Sequence, residues 1–141
     1  GPRSSRSDRG ILNQMVRRAL AGEPLTVYKP GDRLRDYMFV EDAARAFLHA
    51  AENIEKVNGQ HFVIGTGEAY TLAEAMNLVA DRVALKKRMR VAVQYVDPPS
   101  SQSPIEARNF VADARCFRQA TGWVPRFTLI EGIDRTVEEF S

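Results

Sequence analysis

Two arginines stand where a fixed cation could meet an anion. Arg35 lies between the Pro30-Gly31-Asp32 turn and a β-like run, so its planar fork can be held rigidly toward a phosphate or carboxylate. Arg108 follows a Pro/Ser-rich segment and is flanked by Glu106 and Asn109. Either could instead serve a structural ion pair, Arg35 with Asp36 or Asp42 for instance. Other chemistries find little support. His49 and His61 sit on different elements with no metal-ligand spacing around them. No Gly-x-Ser-x-Gly elbow is present. Cys116 falls inside an amphipathic helical pattern, where a buried small hydrophobe is expected. Gly65-Thr66-Gly67-Glu68-Ala69-Tyr70 approaches the dinucleotide fingerprint but has Tyr70 where the third glycine belongs, and Lys86-Lys87-Arg88 where a ribose-holding acid is needed. A tight turn with positive φ at glycine explains the same residues.

The elements that must position these groups alternate between helix and strand. Ile11, Leu12, Met15, Val16, Ala19 and Leu20 predict a helix over about 10–21, with Gly22 at its C-terminal end. Strands are expected at Leu25–Tyr28, His61–Ile64 and Val91–Val96, and Tyr37 and Phe39 are expected to anchor a short strand after Arg35. Ala43, Ala44, Phe47, Leu48 and Ala51 space out a helix that starts with Glu41 and Asp42 in its first turn. Thr71-Leu72-Ala73-Glu74 and Thr128-Leu129-Ile130-Glu131 are capping boxes. The first opens a stripe of Leu72, Ala75, Met76, Val79, Ala80 and Val83, and the second opens a last helix with Ile133, Val137 and Phe140 on one side. A short helix over about 113–121 is closed by Gly122. The layout is α/β with short strands, small for a complete doubly wound sheet.

Composition sets the outer limits. The 141 residues, 44% hydrophobic and 27% charged, fit one soluble globular domain spanning 1–141. A single cysteine and the lack of a secretory pattern at the amino terminus make a cytoplasmic setting the expectation, and no apolar run approaches the roughly 20 residues of a membrane helix. The net charge of +2 is too small to imply nucleic acid, although Arg3, Arg6 and Arg9 crowd the start and Lys86, Lys87, Arg88 and Arg90 the middle.

Gly31-Asp32-Arg33-Leu34-Arg35-Asp36-Tyr37-Met38-Phe39-Val40-Glu41-Asp42 resembles the signature G-D/N-x-x-x-R-D-F/W-x-Y/H-V-x-D of the extended short-chain dehydrogenase/reductase family, the NAD-dependent nucleotide-sugar epimerases and dehydratases. Gly1-Pro2-Arg3, Gly22–Tyr28, Phe62–Gly67, Thr121–Pro125 and Glu131-Gly132-Ile133 resemble further family segments in the family's order. The resemblance implies that Arg35 and Arg108 grip the pyrophosphate of a nucleoside-diphosphate sugar, that Val27 and Tyr28 contact its base, and that Asn13 reaches the phosphates. It also implies NAD as cofactor, bound by a Rossmann half with G-x-x-G-x-x-G and worked on by a Tyr-x-x-x-Lys pair. Neither motif is in this sequence. The chain is therefore expected to be the C-terminal substrate-binding part of such an enzyme, lacking a complete Rossmann domain. It would be a fragment or split subunit, inactive alone, that partners the missing half and is a possible homo-oligomer. The rival expectations are a non-catalytic assembly domain and a basic nucleic-acid-binding module.

Overall fold

A computed structural model describes residues 10–100 and 107–141. Gly1-Pro2-Arg3, the arginines of the amino terminus and the later part of the Pro/Ser segment lie outside the described residues. The order is α1 (Ile11–Leu20), β1 (Leu25–Tyr28), β2 (Leu34–Arg35), α2 (Val40–Glu52), α3 (Ile54–Val57), β3 (Tyr70–Thr71), α4 (Leu72–Lys87), β4 (Val93–Val96), α5 (Arg115–Thr121) and α6 (Leu129–Glu139). β1 and β4 pair in parallel with Leu25 opposite Val93, and β2 and β3 pair antiparallel with Arg35 opposite Tyr70.

The main core is the junction of α1, α4 and α6 with β1. Val16 and Ala19 from α1, Met76, Val79 and Val83 from α4, Ile133 and Val137 from α6, and Leu25 and Val27 from β1 meet there, each almost wholly removed from water. Both capping boxes form. Thr71 Oγ1 accepts from the amide of Glu74 at 3.1 Å while Glu74 accepts from the amide of Thr71 at 2.7 Å. Thr128 and Glu131 repeat the exchange at 3.3 and 2.8 Å. These reciprocal bonds satisfy amides that the first helical turn leaves over, and so fix where α4 and α6 begin. Gly122, at φ +73°, ends α5 in the left-handed conformation.

A smaller cluster of Ala46, Phe117 and Trp123 lies apart from the main core, with Met38, Ala50, Phe62, Ile64 and Ala114 packed against it. Asp42 joins the two regions. Although fully buried, its carboxylate accepts from Arg45 Nη1 at 2.8 Å and from the amides of Arg126 and Phe127 at 2.9 to 3.0 Å. Its carbonyl accepts from Trp123 Nε1 at 3.1 Å.

Four expectations are corrected. His61–Ile64 forms no strand, because no described segment pairs with it. Tyr37 and Phe39 lie outside β2, which stops at Arg35 where β3 turns into α4. Cys116 is exposed, because seven-residue α5 buries Phe117 and Thr121 and so turns Cys116 to solvent. On α2, Ala44, Phe47, Leu48 and Ala51 face solvent rather than a core, while Asp42 and Ala46 turn inward.

Candidate functional site

The Arg35 side chain is fixed from below by three neighbouring strips of backbone. Gly31, buried at φ +77°, makes the turn before it, and a Cβ there would come within 2.6 Å of Val27 Cγ1. The carbonyls of Gly31 and Arg33 accept from the amides of Ala73 and Leu72 at the start of α4. On the other flank, the amide of Leu34 donates to Asn109 Oδ1 at 3.0 Å and its carbonyl accepts from the amide of Phe110 at 3.0 Å. Residues 108–110 thus lie alongside β2. Arg35 Nη1 donates to the carbonyl of Leu34 at 2.9 Å and to the carbonyl of Arg108. Two arginines 73 residues apart in the chain are thereby brought into one place, Arg35 half-buried and Arg108 exposed.

The ion-pair alternative for Arg35 finds other duties for its proposed partners. Asp42 is committed as described above. Asp36 accepts from Thr66 N at 3.0 Å, Thr66 Oγ1 at 2.6 Å, Gly67 N at 2.9 Å and Ala112 N at 3.1 Å. That cluster also tests the glycine turn as a dinucleotide site. The amides of Thr66 and Gly67, which would have to face a diphosphate, are spent on Asp36, and a Cβ at Gly65 would meet Ala112 Cβ at 2.3 Å. The turn is a structural clamp and does not fit NAD.

The remaining site candidates are placed separately. Val27 is fully buried in β1, so only its main chain can face a ligand, whereas Tyr28 is 43% exposed. Asn13 is buried on α1 and lines a cavity of about 300 Å³ between α1, residues 36–40 and α6. Asp36 and Tyr37 line it as well; Arg35 and Arg108 do not. The Tyr37 hydroxyl is buried with no hydrogen-bond partner among the described residues. Burial pushes its pKa above the usual tyrosine value, partly opposed by the Arg35 guanidinium, so it stays a neutral donor at physiological pH. Sequence reasoning did not single out Asp36, Asn109 or the Tyr37 hydroxyl. The adjacency of Asp36 to Arg35 and of Asn109 to Arg108 was the available signal, but it carries no information on which atoms meet.

No group of acids, histidines and cysteines among the described residues could hold a metal ion, and no described helix is long and apolar enough to cross a membrane. Within the basic cluster, Lys86 pairs with Glu138 and lies 3.9 Å from Asp134, which blunts the positive field at the end of α4.

Residues 1–65 match the model of the NAD dependent epimerase/dehydratase family. Over those residues, 65 of 141, the chain resembles that family. A dTDP-glucose 4,6-dehydratase of Neisseria gonorrhoeae is 32% identical over 133 residues, which cover 91% of this chain and 38% of that protein. The solved UDP-glucose 4-epimerase of Thermotoga maritima with UDP-glucose superposes at a TM-score of 0.76 with 26% identity, covering 99% of this chain and 41% of that one. The UDP-glucose 4-epimerase of Thermus thermophilus in complex with NAD gives a TM-score of 0.75 at 28% identity over 99% of this chain and 43% of that one. The chain thus spans about two fifths of the length of these epimerase/dehydratase family members, and it has their α/β fold over that part.

Proposed function

We propose that this chain is the nucleotide-sugar-holding portion of an NAD-dependent epimerase or dehydratase, a single substrate-binding unit that does no redox chemistry alone. Arg35 and Arg108 grip the diphosphate, Tyr28 offers its ring and Val27 its main chain to the base, and Asn13 reaches a polar group lodged toward the cavity. The observation that carries this reading is the hydrogen bond from Arg35 Nη1 to the carbonyl of Arg108, which sets two guanidinium-bearing segments side by side. An anion between them makes charge-assisted bonds worth about 1.5–3 kcal/mol each. The relatives named as dTDP-glucose and UDP-glucose enzymes support a nucleoside-diphosphate hexose as the ligand. NAD, which the family uses, is held by residues outside this chain, in the same polypeptide or a partner. The share of this chain in catalysis is orientation of the sugar.

Titration calorimetry of UDP-glucose and dTDP-glucose against the complete gene product tests the assignment. Arg35→Ala and Arg108→Ala are each expected to weaken the preferred ligand at least tenfold. Parental affinity in Arg35→Ala would sink the reading.

A further inference from the structure

The run that carries Arg108 is placed by hydrogen bonds rather than by packing. Residues 107–111 are all exposed, Phe110 at 56%, and burial begins only at Ala112. An exposed run has little apolar contact to hold its register, so its polar contacts must do so. It advances in the same direction as residues 34–36. The amide of Phe110 donates to the carbonyl of Leu34 at 3.0 Å, and the amide of Ala112 donates to Asp36 Oδ2 at 3.1 Å.

One rung of this pairing is not made by backbone. Within a strand the amide and carbonyl of a residue point to the same side, so Leu34 turns both toward the 108–110 run. In a regular parallel ladder its amide would donate to the main-chain carbonyl of residue 108. Here it donates to Asn109 Oδ1 at 3.0 Å, and the Arg108 carbonyl accepts from Arg35 Nη1 instead. The same Nη1 donates to the carbonyl of Leu34 at 2.9 Å, so the Arg35 guanidinium is held between the two facing segments.

We propose that Asn109 is a positioning residue of the diphosphate site: its side-chain oxygen occupies the Leu34 amide and so leaves the Arg108 carbonyl to Arg35. This rests on the reading of Arg35 and Arg108 as the diphosphate grip. The chemistry suits asparagine, because a neutral acceptor satisfies the amide without adding a negative charge beside two guanidinium groups that receive an anion. Asn109 also fixes its neighbour in the chain. The run from Arg108 to Ala112 is pinned near both ends, by Asn109 to Leu34 and by Ala112 to Asp36. Without the Asn109 oxygen, the Leu34 amide draws the Arg108 carbonyl into the ladder, and Arg35 Nη1 loses that acceptor. Both arginines then leave the register in which they meet one diphosphate.

A double-mutant cycle in the complete gene product, read by titration calorimetry with UDP-glucose, tests the assignment. Asn109→Ala is expected to weaken binding roughly fivefold or more while the melting temperature stays parental, since the residue is exposed. Arg108→Ala, which weakens the parent about tenfold, should cost less than about threefold in the Asn109→Ala background, because the arginine is no longer aimed. Asn109→Asp keeps the accepting oxygen and should restore the roughly tenfold cost of Arg108→Ala, at a lower overall affinity because the added carboxylate repels the diphosphate. Parental affinity in Asn109→Ala, an undiminished cost of Arg108→Ala in that background, no recovery in Asn109→Asp, or a melting temperature that falls with the affinity would each overturn the positioning role alone. The nucleotide reading fails differently: Arg35→Ala and Arg108→Ala would then bind UDP-glucose as tightly as the parent whatever stands at position 109, and the positioning role falls with it.

Discussion

Among single residues, neighbouring acids of one motif have opposite weights. Asp32 is 59% exposed and pairs with Arg33 at 3.6 Å, whereas Asp36 collects four donors from Thr66, Gly67 and Ala112. Removing a carboxylate that satisfies partly buried amides leaves them unpaired, at a cost of about 1–3 kcal/mol. Asp36→Ala is therefore expected to lower the unfolding free energy by about 2–3 kcal/mol in urea titration, and Asp32→Ala to stay within about 0.5 kcal/mol. Equal losses in the two variants would show that Asp36 is not a clamp. Nothing in the spelling Arg35-Asp36 tells the two duties apart. A single sequence places an acid beside a cation, and the obvious pairing is between them, but the fold sends Asp36 across to the glycine turn. Arg35 and Arg108 were legible as cations in constrained settings. That they share one place, though 73 positions apart in the chain, depends on everything that folds between them, and no local pattern carries that.

At the level of elements, what local hydrogen bonding decides was readable, and what tertiary partners decide was not. The boxes Thr71–Glu74 and Thr128–Glu131 close within four residues, so α4 and α6 start where the sequence predicts. Thr71→Ala and Thr128→Ala should each cost about 1 kcal/mol by chemical denaturation. The boxes also impose a pH dependence. Hydrogen bonds from the backbone and hydroxyl of Thr71 and Thr128 hold the Glu74 and Glu131 carboxyls below their ordinary 4.5, and Arg115 holds Asp113 down from 3.8 to about 2. Because the folded pKa values are depressed, this stability is present above about pH 4.5 and is lost as the pH falls through the folded values. Thermal melts should thus show Tm falling from about pH 5 toward pH 2, less steeply in Glu74→Gln with Glu131→Gln; an unchanged slope in that variant would refute the cause. By contrast, the apolar period of α2 reveals which residues share a face but not which face meets the core. Ala44, Phe47, Leu48 and Ala51 look like a buried stripe, yet Asp42 and Ala46 face inward, held there by contacts from residues 123–127. His61–Ile64 has strand composition but no described partner, so composition alone could not decide its pairing.

Across the whole molecule, stability depends on how the small cluster is tied to the large one. The α1, α4 and α6 core is continuous through β1, while Ala46, Phe117 and Trp123 form a separate cluster. Asp42 is the tie. From inside α2 it holds Arg45, the indole of Trp123 and the amides of Arg126 and Phe127, and those amides lead directly into the Thr128 cap of α6. A wholly buried carboxylate of this kind is costly to remove, because Arg45 and two amides lose their acceptor together; about 3–5 kcal/mol is expected for breaking a buried pair from one side. For a domain with roughly 5–15 kcal/mol in all, that is a large fraction. The loss falls on the tie and leaves the main core packing intact. Trp123 is fully buried in the small cluster and is the one tryptophan in the chain, so its fluorescence reports that cluster alone, while far-UV circular dichroism is dominated by helices of the main core. In the parent chain the two signals should unfold at the same urea concentration, as expected when Asp42 couples the clusters. In Asp42→Ala the Trp123 transition should move to lower urea and separate from the helical one. Coincident transitions that shift together in the variant would mean that the clusters are coupled through the remaining contacts of α2 and α6, and that Asp42 contributes stability without being the link.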